Sequence, residues 1–222
     1  MNPDRSLFDI MGPVMIGPSS SHTAGAVRLG LLATAIFGRV PRSARMLLHG
    51  SFASTGKGHG TYLALVAGLL GMRPDDPGIV TALDSALSAG LDVEFVTSDL
   101  GEVHPNTVRF ELADEHEQLV VEGSSIGGGE VMVTRIGDFD AQANGRMPLL
   151  LVEHMDSPGE IAAVTGEIAR DGANIAQMGV SRRRRGDVAL MLIVTDTPVS
   201  DGAMAAIEHR ELVRHVRRVP QI

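Results

Sequence analysis

Apolar and polar positions divide the chain into two stretches with different rhythms. From Leu149 onward the rhythm is regular. The apolar run Leu149 to Val152 reads as a buried strand. Asp156 or Ser157 can cap a helix whose first turn suits Pro158. Ile161, Val164, Ile168 and Ala169 follow at helical spacing, and Asp171-Gly172 stops the helix. Asn174 to Val180 reads as a strand, Arg182 to Gly186 as a hairpin turn and Val188 to Val194 as the next strand. Ser200 to Glu208 suits a short helix and Leu212 to Val219 a last strand. The order β-α-β-β-α-β is that of a ferredoxin-like split unit.

The earlier part mixes periods. Two apolar helices, Ala24 to Phe37 and Thr61 to Leu70, each follow a loop of small residues. A third, Ile79 to Ala89, follows Pro74-Asp75-Asp76-Pro77. Strands are expected at Ala44–His49, Asp92–Thr97, Thr107–Leu112, Gln118–Glu122 and Val131–Ile136. The pattern predicts an α+β chain: an N-terminal α/β domain over 1–140, a turn-prone linker over 141–147 and a ferredoxin-like domain over 148–222.

Composition narrows the chemistry. The chain has 222 residues, 44% hydrophobic and 21% charged, as soluble globular proteins do. Aromatics are 3% and Trp is absent, so the core is expected from Leu, Val, Ile, Ala and Met. A formal net charge of −8 offers no global field for nucleic acid or an anionic membrane. No apolar run approaches the roughly 20 residues that span a bilayer. Met1 to Ile10 carries Asp4, Arg5 and Asp9 and lacks the apolar core of a signal peptide, which reads as a cytoplasmic chain. There is no cysteine, which excludes disulfides, a Cys nucleophile and a Cys-ligated iron–sulfur cluster within this chain. Lys57 is the one lysine, so Schiff-base chemistry would have to use it.

Three small-residue stretches can carry chemistry. In Gly17-Pro18-Ser19-Ser20-Ser21-His22-Thr23, four hydroxyls and a histidine stand at a helix start. Unpaired N–H groups and the positive dipole end suit a carboxylate or phosphate there. N-capping alone needs one Ser, and this stretch exceeds that. In Gly56-Lys57-Gly58-His59-Gly60-Thr61, alternate glycines let a backbone approach a ligand closely, and an accessible His59 can act as a general base; a flexible turn capped by Thr61 is the plainer reading. The spacing Gly50 to Lys57 departs from a P-loop, and Gly58 stands where Ser or Thr belongs, which rejects nucleotide binding. Ser124-Ser125-Ile126-Gly127-Gly128-Gly129 separates two strands, and a hairpin explains it equally well. Arg182 to Arg185 lacks interleaved aromatics and reads as a solvated turn. The remaining histidines show no metal-ligand spacing.

Together, the motifs at 17–23, 56–61 and 125–129, followed by a terminal module with Asp156-x-Pro158-Gly159 and Gly172-x-Asn174-Ile175, resemble the beta chain of the two-subunit L-serine dehydratases. The terminal module resembles an ACT domain, and the first domain resembles the regulatory substrate-binding domain of some phosphoglycerate dehydrogenases. The resemblance implies β-elimination of L-serine to pyruvate and ammonia. It also implies a [4Fe–4S] cluster held by a separate alpha chain, not by this one, with one open iron as Lewis acid. By motif position, His59 is the expected base and His22 a second acid/base or orienting group. Ser19, Ser20, Ser21 and Thr23 are expected to hold the substrate carboxylate or contact the cluster side, with Thr61 and Ser125 lining the same pocket. Partners expected are the alpha chain, L-serine and a second copy through the ACT-like or N-terminal domain, with no nucleic acid and no membrane. Two rivals remain. One is a non-catalytic amino-acid sensor, which leaves the serine-rich loop unexplained. The other is a pyridoxal-phosphate enzyme using Lys57, for which the chain is short.

Overall fold

The computed structural model describes residues 14–56 and 58–222. They fall into two compact units divided between Thr134 and Arg135. Helices and strands are mixed and form two sheets, an α+β chain. Among the described residues no helix is long and apolar enough to cross a membrane.

In the first unit a π-helical turn, Ser20–Ala24, opens into helix α1 (Gly25–Phe37). Strand β1 (Ser43–Leu48), a short helix α2 (Gly50–Thr55) and helix α3 (Thr61–Leu69) follow. Then come a 3-10 turn (Pro77–Thr81), helix α4 (Ala82–Ala89) and strands β2 (Asp92–Thr97), β3 (Thr107–Ala113), β4 (Gln118–Gly127) and β5 (Glu130–Ile136). The sheet order is β2-β1-β3-β4-β5, with β1 parallel to β2 and antiparallel to β3. Alternation in β1 buries Ala44, Met46 and Leu48 on one face. Met46 stands opposite Phe110 of β3, and both are buried.

Helices α1 and α3 are apolar almost all round, which marks buried helices. Glycine permits their close approach: a Cβ at Gly68 would lie 2.1 Å from the Val27 carbonyl, and one at Gly30 would lie 2.4 Å from that of Leu65.

Three local expectations change. The helix expected over 79–89 begins only at Ala82, because the β-branched Ile79, Val80 and Thr81 form a tighter turn capped by Asp76. Helix α2 is not visible in the pattern Gly-Ser-Phe-Ala-Ser-Thr, which is short and, apart from Ala53, built of weak helix formers. Strand β4 runs through Gly127 and so takes Ser124 and Ser125 into the sheet.

The second unit opens with β6 (Phe139–Ala143), so Ala141, Gln142 and Ala143, read as linker, are strand. Its ladder is built from residues of low β propensity, Asp, Ala and Gln. Next come β7 (Leu149–Met155), α5 (Glu160–Arg170), β8 (Ile175–Arg182), β9 (Val188–Thr195), α6 (Asp201–Glu208) and β10 (Val213–Val219). The order β10-β7-β9-β8, antiparallel throughout, is the split β-α-β-β-α-β arrangement. Leu150, Val152, Met191 and Ile193 pack against Val164, Ile168 and Ile207 of the helices. The cap of α5 is Gly159, with no side-chain bond. Asp156 instead accepts from Arg182 at 2.8 Å and from the Gly186 N–H at 3.0 Å, closing the hairpin.

Candidate functional site

The serine-rich turn is a wide one. Ser19 is extended, and its hydroxyl accepts from the His22 N–H at 3.2 Å. The Thr23 N–H reaches the Ser19 carbonyl at 2.8 Å. A π turn here, where an α-helical start was expected, is a deformation often found at functional sites. Gly17 permits it, with φ +138° and the Thr23 side chain 2.5 Å from where a Cβ would stand. Ser20 and Ser21 are half-buried within the turn, and the Ser20 carbonyl accepts from the Gly25 N–H.

The turn delivers His22 to helix α2. Ser51 and Thr55 lie at i and i+4 and share one helix face. His22 Nε2 is 3.0 Å from Ser51 Oγ and 3.2 Å from Thr55 Oγ1, while Nδ1 is 3.4 Å from Ser19 Oγ. Phe52 meets the ring edge-on, with centroids 5.4 Å apart. On another side stands His59, its ring centroid 5.0 Å from that of His22 and the planes tilted by 47°. Thr23 Oγ1 donates to the His59 carbonyl at 3.3 Å, so its proton is already committed. His59 is exposed, and Gly60 rather than Thr61 caps helix α3.

Burial holds the His22 imidazole below its ordinary pKa of 6.5, and the charge of His59 adds to the effect; a hydrogen bond to the Ser51 backbone pulls the other way.

Thr61 and Ser125 are fully buried, and among the described residues neither hydroxyl has a hydrogen-bond partner. Asn106 Oδ1 shares this condition. A buried polar atom without a partner costs about 1–3 kcal/mol, so each calls for a reason. Ser125 and Asn106 are neighbours, since the Ser125 N–H donates to the Asn106 carbonyl at 3.0 Å. Ser125 also packs on the helix start: a Cβ at Gly25 would lie 2.1 Å from its Oγ. Thr61 packs beside Gly56.

The structure thus brings His22, His59, Ser19 and Thr23 into one set of contacts, with Ser125 against the residue that begins α1. Lys57 lies outside the described residues. Ser51, Thr55 and Asn106 were missed by sequence reasoning. The i, i+4 hydroxyls directly before the glycine-rich stretch were the available signal for the first two; Asn106, at a strand start, gave none. Among the described residues no group of three or more His, Cys, Asp or Glu side chains could hold a metal ion.

Known proteins resemble this chain in sequence. The family model for the serine dehydratase beta chain matches residues 6–88, which include both histidine motifs. A probable L-serine dehydratase beta chain of Bacillus subtilis is 45% identical over 197 residues, covering 89% of this chain and 90% of that one. The chain belongs to the serine dehydratase beta-chain family. An L-serine dehydratase beta chain of Peptoniphilus asaccharolyticus is 38% identical over 207 residues, 92% of this chain and 93% of that one. An L-serine dehydratase of Mycobacterium tuberculosis is 30% identical over 161 residues, 62% of this chain and 35% of its own length.

In this serine dehydratase family member the arginine run of the second unit has local acidic partners. Arg182 pairs with Asp156 at 2.8 Å, Arg184 with Asp187 at 3.0 Å, and Arg183 with Asp138. These exposed pairs hold the turn at little net energy.

Proposed function

We propose that this chain is the beta subunit of an L-serine ammonia-lyase, active only with a cysteine-bearing alpha chain. The near full-length similarity to proteins named L-serine dehydratase beta chain carries this reading. The packing of His22 on His59 within a shell of hydroxyls supports it.

A [4Fe–4S] cluster does not fit this chain's own residues, which include no cysteine. The cluster is therefore assigned to the alpha chain, where it would supply a Lewis acid at the departing hydroxyl of serine.

This chain's contribution is binding and proton handling. His59, exposed and held through its carbonyl by Thr23, takes the Cα proton. His22 orients the site. Ser19, Ser20, Ser21 and Thr23 surround the substrate carboxylate, with Ser20 and Ser21 as donors because the Thr23 proton is committed. Thr61 and Ser125 line the same pocket, and a ligand there would satisfy hydroxyls that otherwise stand unpartnered. Loss of water from serine leaves an enamine, which hydrolyses to pyruvate and ammonia. The first unit is the dehydratase domain, and residues 148–222 form an ACT-type module; a second copy associates through one or the other. The assembly works in the cytoplasm.

The test is reconstitution. The purified chain alone is expected to be colourless and inactive on L-serine. Anaerobic mixing with a cluster-loaded alpha chain is expected to give pyruvate. Turnover by this chain alone overturns the proposal, as does amino-acid binding with no activity in any mixture.

A further inference from the structure

We infer that Ser51 and Thr55 are positioning residues that hold His22 in the tautomer protonated on Nε2, leaving Nδ1 as its basic nitrogen. This rests on the proposed function for its effect on rate, though not for the tautomer itself.

The inference follows from counting protons. A hydroxyl has one to give. Thr55 Oγ1 lies 2.9 Å from the Ser51 carbonyl, the back-bond a helical threonine makes to the residue four before it. That carbonyl has no proton, so Thr55 is the donor. Toward His22 Nε2, 3.2 Å away, Thr55 can then only accept. A hydrogen on Nε2 gives Thr55 Oγ1 the donor it can accept from. Ser51 Oγ, 3.0 Å from Nε2, serves as a second acceptor, and its own proton has Thr55 Oγ1 at 3.4 Å. The opposite tautomer would set a nitrogen lone pair against an oxygen lone pair at 3.2 Å.

The other nitrogen completes the count. Nδ1 without hydrogen accepts from Ser19 Oγ at 3.4 Å, while Ser19 Oγ accepts from the His22 backbone N–H at 3.2 Å. Partial burial and the adjacent His59 ring, the titratable group in contact with it, both disfavour the charged form of the ring. Phe52 fixes the ring plane from its edge. The consequence is directional: the basic nitrogen of His22 faces the serine-rich turn and polarises the Ser19 hydroxyl, and its N–H faces helix α2. A histidine's tautomer is set by what its other nitrogen bonds to, and here α2 supplies that bond.

The experiment uses the full chain labelled with 15N-histidine, with His22 assigned by comparison with His22→Gln. Long-range proton–nitrogen correlation spectra are expected to show His22 protonated at Nε2 and bare at Nδ1. The double variant Ser51→Ala/Thr55→Val is expected to yield a mixture of tautomers, and Thr55→Ser to keep the wild-type pattern. In the reconstituted complex the double variant is expected to lose about ten- to a hundredfold in kcat, with a shifted pH–rate profile, as misplaced groups do. A wild-type spectrum with Nδ1 protonated overturns the inference, whether or not the variants fold. So does a double variant with unchanged tautomer and unchanged pH–rate profile. If the complex proves inactive on serine, the proposed function fails and the spectrum still decides the tautomer.

Discussion

The imidazoles of His22 and His59 stand 5.0 Å apart, centroid to centroid, and Thr23, the neighbour of one, donates to the carbonyl of the other. The two rings differ in setting. His22 is wedged among Ser19, Ser51, Phe52 and Thr55, and His59 is exposed.

That difference predicts different kinetics for the two alanine variants. His59→Ala in the reconstituted complex is expected to lower kcat by about 10²–10⁴-fold, the usual contribution of a general base, with little change in serine binding. His22→Ala is expected to affect both binding and rate, because it also releases Ser19 and α2. Steady-state kinetics of both variants, with the cluster absorbance as a check, decides. Near wild-type kcat for His59→Ala with a collapsed rate for His22→Ala would reverse the roles.

The lowered pKa of His22 predicts a pH dependence of stability. The unfolded chain binds the proton near 6.5 and the folded chain only below that. Between the two values the unfolded state holds more protons, so stability rises with pH across that window and falls as pH drops through it. His22→Gln removes this component. Thermal unfolding midpoints from pH 7 down to pH 5 are expected to fall less steeply for the variant than for the wild type.

Ser125→Ala separates stability from function. The hydroxyl is buried and unpartnered, so its removal is expected to leave the chain as stable or more stable by about 1 kcal/mol. In the complex the KM for serine is expected to rise, since the hydroxyl is assigned to the substrate pocket. Urea unfolding and saturation kinetics on one preparation test both halves. A stability loss of several kcal/mol would assign Ser125 to the core alone.

Two helical glycines predict opposite outcomes on substitution. Gly68→Ala would place a Cβ 2.1 Å from the Val27 carbonyl and 2.8 Å from Gly30 Cα, backbone that cannot yield, and is expected to cost about 1–3 kcal/mol or more. At Gly166, on α5, the nearest atom is the flexible end of Arg170 at 3.7 Å. Gly166→Ala is expected to stabilise by about 0.5–1 kcal/mol, the propensity difference in a helix interior. Chemical denaturation of the two variants in parallel measures both.

Helices α1, α3 and α5, strand β1 and the order of the second unit were legible because their apolar residues recur at helical or strand spacing, and that spacing acts locally. The glycines and histidines of the two motifs were legible for the same reason: their backbone needs show in single residues. Helix α2 and strand β6 were not, since short runs of Gly, Ser, Ala and Gln carry little propensity and form only where neighbours hold them. The Ser51 N–H, for instance, is held by the Pro105 carbonyl at 2.8 Å, from the loop before β3. The sequence by itself determined which residues could act, through two histidines among small and hydroxylic neighbours and through the absence of cysteine. Only the tertiary structure decided which nitrogen of His22 meets α2 and that Ser125 is buried against Gly25. Those contacts join segments far apart in the chain, and packing and hydrogen-bond donor counts, not local periodicity, set them.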